Sequence, residues 1–201
     1  MNKLNIVLYV EGWELKKHMI KKVISGGQSG SDMAGLYAAK AFNIPTGGYA
    51  PKNWLTSDGP QKDLLQSFGL QEYDGGYKER TYKNVEASDG TICCSINFQS
   101  AGTVCTIKAI KYYNKPFLLS DLAFPFNLKE ATDWIVNNNI QILNVAGNRN
   151  KNLYHPIDKD FVCINLQGKY SSTPTSTIFD LTLERIKRIL VHYYIISPIG
   201  A

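Results

Sequence analysis

The sequence predicts an α/β fold with a mostly parallel sheet and helices on both faces. Two observations predict it. Short apolar runs alternate with segments of helical spacing along most of the chain, the pattern of β-α-β units joined by crossovers. Twice, an apolar run passes through a glycine-containing loop straight into a helix. In a parallel sheet both loops lie at the carboxyl ends of strands, where ligands bind. We read residues 1–201 as a single domain and place no boundary inside it. A chain of 201 residues is long enough for one well-packed core.

The first unit is Val23-Ile-Ser-Gly-Gly-Gln-Ser-Gly-Ser-Asp-Met-Ala-Gly35. Val23 and Ile24 end a strand; Gly26, Gly27 and Gly30 make the loop. Met33, Ala34, Leu36, Tyr37, Ala38, Ala41 and Phe42 carry the helical spacing. Such a junction aims backbone N–H groups and a helix dipole at an anion. Ser29 or Ser31 is a candidate helix cap. Asp32 suits the first turn but would repel an adjacent phosphate, so it is expected to accept hydrogen bonds from ligand hydroxyl or amine groups. Gln28 occupies the second-glycine position of the dinucleotide fingerprint, and no Gly-Lys-Ser/Thr follows as a P-loop needs. Glycine chemistry alone therefore leaves open a tight turn with no ligand.

A short strand is expected over 44–49, with Pro45 at its start. Lys52 follows it and is a candidate anion contact or a solvated lysine. Residues 62–68 read as one or two helical turns. Residues 77–87 form a better helix, with Tyr77, Arg80, Thr81 and Asn84 on one face. That face is polar where a core face should be apolar, which suits a ligand or a structural hydrogen-bond network.

The second unit begins with the strand 89–95 and enters a helix at Ser100-Ala-Gly102-Thr103, running to Tyr113. Val104, Ile107, Ala109 and Ile110 are expected on its packing side. A strand at 115–120, a helix at 128–138 and a strand at 140–146 follow. Asn144, Gly147 and Arg149 then fall on the same rim as the two glycine loops. Beyond Asn150 the alternation blurs: a strand at 161–166, a loop at 170–177, and an amphipathic helix at 178–194 that docks on its own sheet or on a second subunit.

Composition narrows the function. Net charge is +5 with a pI near 8.9, which suits a small anionic ligand. The lysines are scattered, so nucleic acid is not favoured. Cys93, Cys94, Cys105 and Cys163 form no Cys-x-x-Cys pair and read as buried reduced thiols. The apolar run 4–10 is too short to span a membrane, and the cytoplasm is the expected location. His18, His155 and His192 lie in unrelated contexts. No nucleophile elbow, His-Glu-x-x-His or paired carboxylates occur.

Together these residues resemble the molybdenum carrier protein family. That family is itself similar to the Rossmann-like group of the DNA-processing protein DprA and the LOG lysine decarboxylase-like phosphoribohydrolases. The resemblance is carried by Ile24-Ser-Gly-Gly-Gln-Ser-Gly-Ser-Asp32, Gly47-Gly-Tyr-Ala-Pro-Lys52 with Asp58-Gly59, the run from Tyr77 to Thr91, Gly102-Thr103, and Leu143 to Arg149. It covers about residues 23–149. The chain departs from the family's pattern at Asn150-Lys-Asn-Leu-Tyr-His-Pro-Ile157.

The resemblance implies a Rossmann-like three-layer fold and a protein that holds or delivers molybdenum cofactor, a phosphorylated pterin (molybdopterin), to a molybdoenzyme recipient. It implies a homo-oligomer, dimer or tetramer. The expected binding set is Gly26, Gly27, Gln28, Ser29, Gly30, Asp32, Lys52, Arg80, Asn84, Ser100, Gly102, Thr103, Asn144, Gly147 and Arg149, with no catalytic residue. Phosphate is expected on the N–H groups of 26–30 or 100–103, oxyanion neutralisation from Lys52, Arg80 and Arg149, and heterocycle reading by Asp32, Asn84 and Asn144. No cysteine is expected on the rim. A nucleotide-binding or nucleotide-sensing module is the main alternative. A LOG-type phosphoribohydrolase is a weaker one, because Thr106 stands where those enzymes carry glutamate.

Overall fold

A six-stranded, all-parallel sheet organises the computed structural model, which describes residues 20–149, 163–164, 170–171 and 177–196. In chain order the elements are β1 (Lys22–Ile24), α1 (Ser31–Ala41), β2 (Thr46–Ala50), a 3-10 turn (Lys52–Trp54), a small hairpin of β3 (Leu55–Thr56) and β4 (Gly59–Pro60), α2 (Lys62–Ser67), β5 (Leu70–Glu72), α3 (Tyr77–Glu86), β6 (Gly90–Ser95), α4 (Ala101–Tyr113), β7 (Phe117–Asp121), α5 (Leu128–Asn137), β8 (Ile142–Gly147), the antiparallel pair β9 (Cys163–Ile164) and β10 (Tyr170–Ser171), and α6 (Ile178–Ile196). The fold is the three-layer α/β arrangement that the alternation predicts.

Sheet order is β5-β2-β1-β8-β6-β7. From β1 the chain steps outward to β2 and β5. It then crosses to β6, steps outward to β7, and returns with β8 between β1 and β6. Ile24 and Thr91 both register against Asn144. The carboxyl ends of β1, β8 and β6 therefore stand side by side, at the point where strand order reverses. A crevice opens there in sheets of this kind.

Helices α1, α5 and α6 cover one face. Ala38, Ala39, Ala131, Ile135, Ile186, Ile189 and Leu190 pack there with Val23, Leu143 and Val145. Helices α3 and α4 pack together on the other, through Val85, Ala109 and Ile110. Cys93 and Cys94 are fully buried neighbours on β6. Burial pushes the Cys94 thiol up to about 11 and Cys93 higher still. Among the described residues no helix is long and apolar enough to cross a membrane.

Several expectations change. Gly30, not Ser29 or Ser31, occupies the N-cap position of α1, and no side chain caps it; Ser31 Oγ instead donates to the Cys94 carbonyl at 2.9 Å. The strand β5 and the hairpin were not expected, because two or three residues leave no readable period. Helix α4 buries Thr103 and Thr106 with Ala109 and Ile110, while Val104 and Ile107 stay half-buried. Helix α6 gives its apolar side to α1 and α5 of its own chain, so that side is not left over for a second subunit. The apolar run 4–10, His18 and His155 lie outside the described residues.

Helix α1 approaches β8 closely because Gly35 has no side chain. A Cβ there would lie 2.5 Å from Val145 Cβ. Gly35→Ala is expected to lower unfolding stability by about 2 kcal/mol through overpacking, read as a lower urea midpoint at unchanged slope.

Candidate functional site

A cleft of about 340 Å³ occupies the crevice between the carboxyl ends of β1, β8 and β6. Gly26 and Gln28 reach it from the first loop, and Asn144, Ala146, Gly147 and Arg149 from the end of β8. Helix α3 supplies Tyr77, Lys78, Arg80, Thr81 and Asn84; helix α4 supplies Ala101, Gly102, Cys105 and Thr106. The three distant segments headed by Gly26, Gly102 and Asn144 thus share one cleft.

Its centre is an ion pair. Arg80 Nη1 donates to Asp32 Oδ2 at 3.1 Å, and both side chains are about nine-tenths buried. The guanidinium lies directly on Gly26, where any Cβ would collide with Arg80 Nη1. Burial pushes the Asp32 carboxyl up; the Arg80 charge and the Gln28 and Gly26 N–H groups pull it back without cancelling that effect. Arg80 spends one donor on Asp32, while its Nε is buried with no hydrogen-bond partner among the described residues. A guanidinium is a multiple donor, so capacity for a further acceptor remains.

Of the first loop's N–H groups expected to meet a phosphate, those of Gly26, Gly27 and Gln28 are already taken. Gln28 N and Gly26 N donate to Asp32, and Gly27 N to Ser25 Oγ at 3.2 Å. The loop binds its own anion. Gly27, at φ +69°, faces Leu65 and Leu70, and Gly30 sits outside the cleft lining. Ser29 Oγ pairs with Ser57 Oγ at 2.6 Å, while the Gln28 amide clamps the hairpin through Leu55 O and Ser57 N. Lys52 is turned away and paired with Asp74 at 2.8 Å, the two side chains 63% and 87% exposed.

Other expected ligand readers are already engaged. Asn84 Oδ1 accepts from Tyr49 N and its Nδ2 donates to Tyr49 O, docking α3 on β2 as an added strand residue would. Ser100 caps α4 by accepting from Thr103 N at 3.4 Å. Asn144 Nδ2 donates to Thr91 Oγ1 at 3.1 Å, and among the described residues its Oδ1 has no hydrogen-bond donor. Thr106 Oγ1 donates back to Gly102 O. Ala101 and Gly102 leave exposed N–H groups at the start of α4, where anions are favoured.

The sequence reading missed Asn148 and Cys105, and it placed Tyr77 on the polar face of α3 but left it out of the binding set. Asn148 joins the rim: its Oδ1 accepts from Ser95 Oγ, Ile96 N and Asn97 N at 2.8, 2.9 and 3.0 Å. Its Nδ2 reaches Asn97 O, Ser100 Oγ and Thr103 Oγ1 at 3.2, 2.9 and 3.1 Å. Ser100 and Thr103 thus serve the frame and not the cleft. Cys105 lines the cleft, half-buried, against the expectation of a rim without cysteine; desolvation raises its thiol pKa. Helical spacing from Gly102 would have placed it there. Tyr77 lines the cleft too, with Arg149 Cζ 4.8 Å above its ring. Among the described residues no group of three His, Cys, Asp or Glu could hold a metal ion.

Comparison with known proteins decides the family. The model of the circularly permutated YpsA SLOG family matches residues 23–162. The chain belongs to that family. The crystal structure of a putative molybdenum carrier protein from Syntrophus aciditrophicus SB is similar over 90% of this chain and 98% of that one, at 32% identity and a TM-score of 0.64. The resemblance read from the motifs therefore holds, and the family match extends past Arg149. No curated protein matches the chain.

Asn148→Ala removes the tie between β6, β8 and α4 and is expected to cost about 2 kcal/mol, since the buried Ser95 and Thr103 lose their bonds together with three half-buried or exposed partners. Asp32→Asn is expected to cost about 3 kcal/mol by stranding Arg80. Urea unfolding followed by circular dichroism checks both.

Proposed function

We propose that this protein binds molybdenum cofactor, a pterin carrying a phosphate and a metal dithiolene, and holds it for delivery. The observation that carries the reading is the buried Arg80, which keeps an unpartnered Nε beside a cleft of ligand size. An oxyanion in this cleft would meet Arg80, Arg149 and the exposed N–H groups of Ala101 and Gly102, and charge-assisted bonds are strong in such a partly desolvated place. Asn144 Oδ1 would accept from a ring N–H. The similar protein from Syntrophus aciditrophicus SB, named as a putative molybdenum carrier protein, supports a molybdenum-related ligand. When bound, the cofactor supplies a redox-active metal to a recipient molybdoenzyme; the residues of this chain bind, orient and shield it. A homo-oligomer belongs to the same proposal, and its contacts would have to lie away from the buried side of α6.

Turnover of a nucleotide is less well supported. A LOG-type hydrolase needs a carboxylate at the Thr106 position, and a threonine bonded to its own helix neither activates a water nor steadies a developing cation. A nucleotide-binding module would use the same cations, and experiment separates it.

Purified protein is incubated with molybdenum cofactor or with nucleoside monophosphates. Melting temperature, free base and alkylation of Cys105 are followed together. The cofactor at a hundredfold excess over Kd is expected to add about 2.7 kcal/mol, roughly 5–10 °C in melting temperature, and to shield Cys105 without base release. Arg149→Ala should weaken it about tenfold, whereas Lys52→Ala should not. Stabilisation by nucleotides alone favours the sensing module; release of base overturns the carrier reading.

A further inference from the structure

Tyr77 opens α3 on one wall of the cleft, and Arg149 follows β8 on the other. Arg149 Cζ sits 4.8 Å from the centre of the Tyr77 ring, and among the described residues Arg149 has no ion pair or hydrogen bond. The ring is half-buried and lines the cleft. A guanidinium is flat and weakly hydrated, and it stacks on aromatic faces. At this depth it covers the one aromatic surface the cleft presents among the described residues.

Two terms set what can displace it. An exposed cation–π contact is weak. Stacking of a heterocycle on an aromatic side chain is stronger, and does not depend on the identity of the base. A ligand that brings both a flat ring and an anion gains twice. Its ring replaces the guanidinium on Tyr77, and the released Arg149 can turn to the anion, where a planar fork bonds best. A ringless anion gains only the second contact, and must still pull Arg149 away from Tyr77.

We infer that Tyr77 is the platform on which the cleft selects planar, anion-bearing heterocycles, with Arg149 as the group such a ring displaces. This rests on the reading of the cleft as a site for phosphorylated heterocycles, and names the residue that would give it ring selectivity.

Calorimetry with guanosine monophosphate and ribose 5-phosphate tests it, since the two differ only by the base. The wild-type protein is expected to prefer the nucleotide by about tenfold or more. Tyr77→Leu should remove most of that preference while ribose 5-phosphate binds as well as before or better, because Arg149 is no longer held. Tyr77→Phe and Tyr77→Trp should keep the preference. Arg149→Gln should weaken both ligands and leave their ratio equal or higher. Loss of both ligands alike in Tyr77→Leu and Tyr77→Phe would make Tyr77 a structural residue and overturn the inference. An unchanged ratio in Tyr77→Leu overturns it as well. Equal binding of the two ligands by the wild type rejects the platform but leaves an anion site, whereas binding of neither removes the proposed ligand class along with the platform.

Discussion

Arg80 lies flat on Gly26 because Asp32 meets it there, and much of the site follows from that contact. The carboxylate does two jobs. It neutralises a guanidinium that α3 carries into the interior, and it accepts the N–H groups of the loop that leaves β1. Neither could be buried alone without a large penalty. Together they bind α3 to the β1–α1 junction and fix the floor of the cleft. The pair is not closed, because Arg80 Nε has no acceptor, so the arrangement that holds the floor also leaves a buried donor beside it.

The second glycine loop is built differently. Its own side chains, Ser100 and Thr103, are drawn into a frame around Asn148, and its backbone is left outward at Ala101 and Gly102. One glycine loop therefore spends its donors on an internal anion and the other keeps them. This division explains why two loops of similar appearance in sequence differ in what they can offer a ligand. Gly147 closes the same rim: with φ +156°, a Cβ there would strike the Cys94 carbonyl, whose oxygen already takes Ser31 Oγ and Asn148 N.

The alternation of strands and helices was legible because each helix carries a full period and each inner strand is a continuous apolar run. The convergence of Gly26, Gly102 and Asn144 followed from parallel topology alone. What sequence could not resolve was the destination of polar side chains. An asparagine at 84 or a serine at 100 reads as a ligand group until its partner is known, and here the partners are the Tyr49 backbone and Thr103 N. Lys52 failed for a different reason: its position after β2 was right for the rim, but a 3-10 turn and Asp74 carry it elsewhere. Cys105 was within reach, since it lies on the same helical face as Gly102 and Thr106, and was lost by treating all four cysteines as core.

The same accounting separates holding a ligand from transforming one. Catalysis on a glycosidic bond needs a charge or a base at the point where cation character develops. Among the described residues the one carboxylate that lines this cleft, Asp32, is committed to Arg80 and to two backbone donors. Thr106, which lines the cleft from α4, turns its hydroxyl to its own helix. What remains toward a ligand is a set of donors, Arg80, Arg149 and the start of α4, with Asn144 Oδ1 as an acceptor. Donors of that kind favour an anion in a partly desolvated cleft, and the proposed carrier role asks no more of them than that.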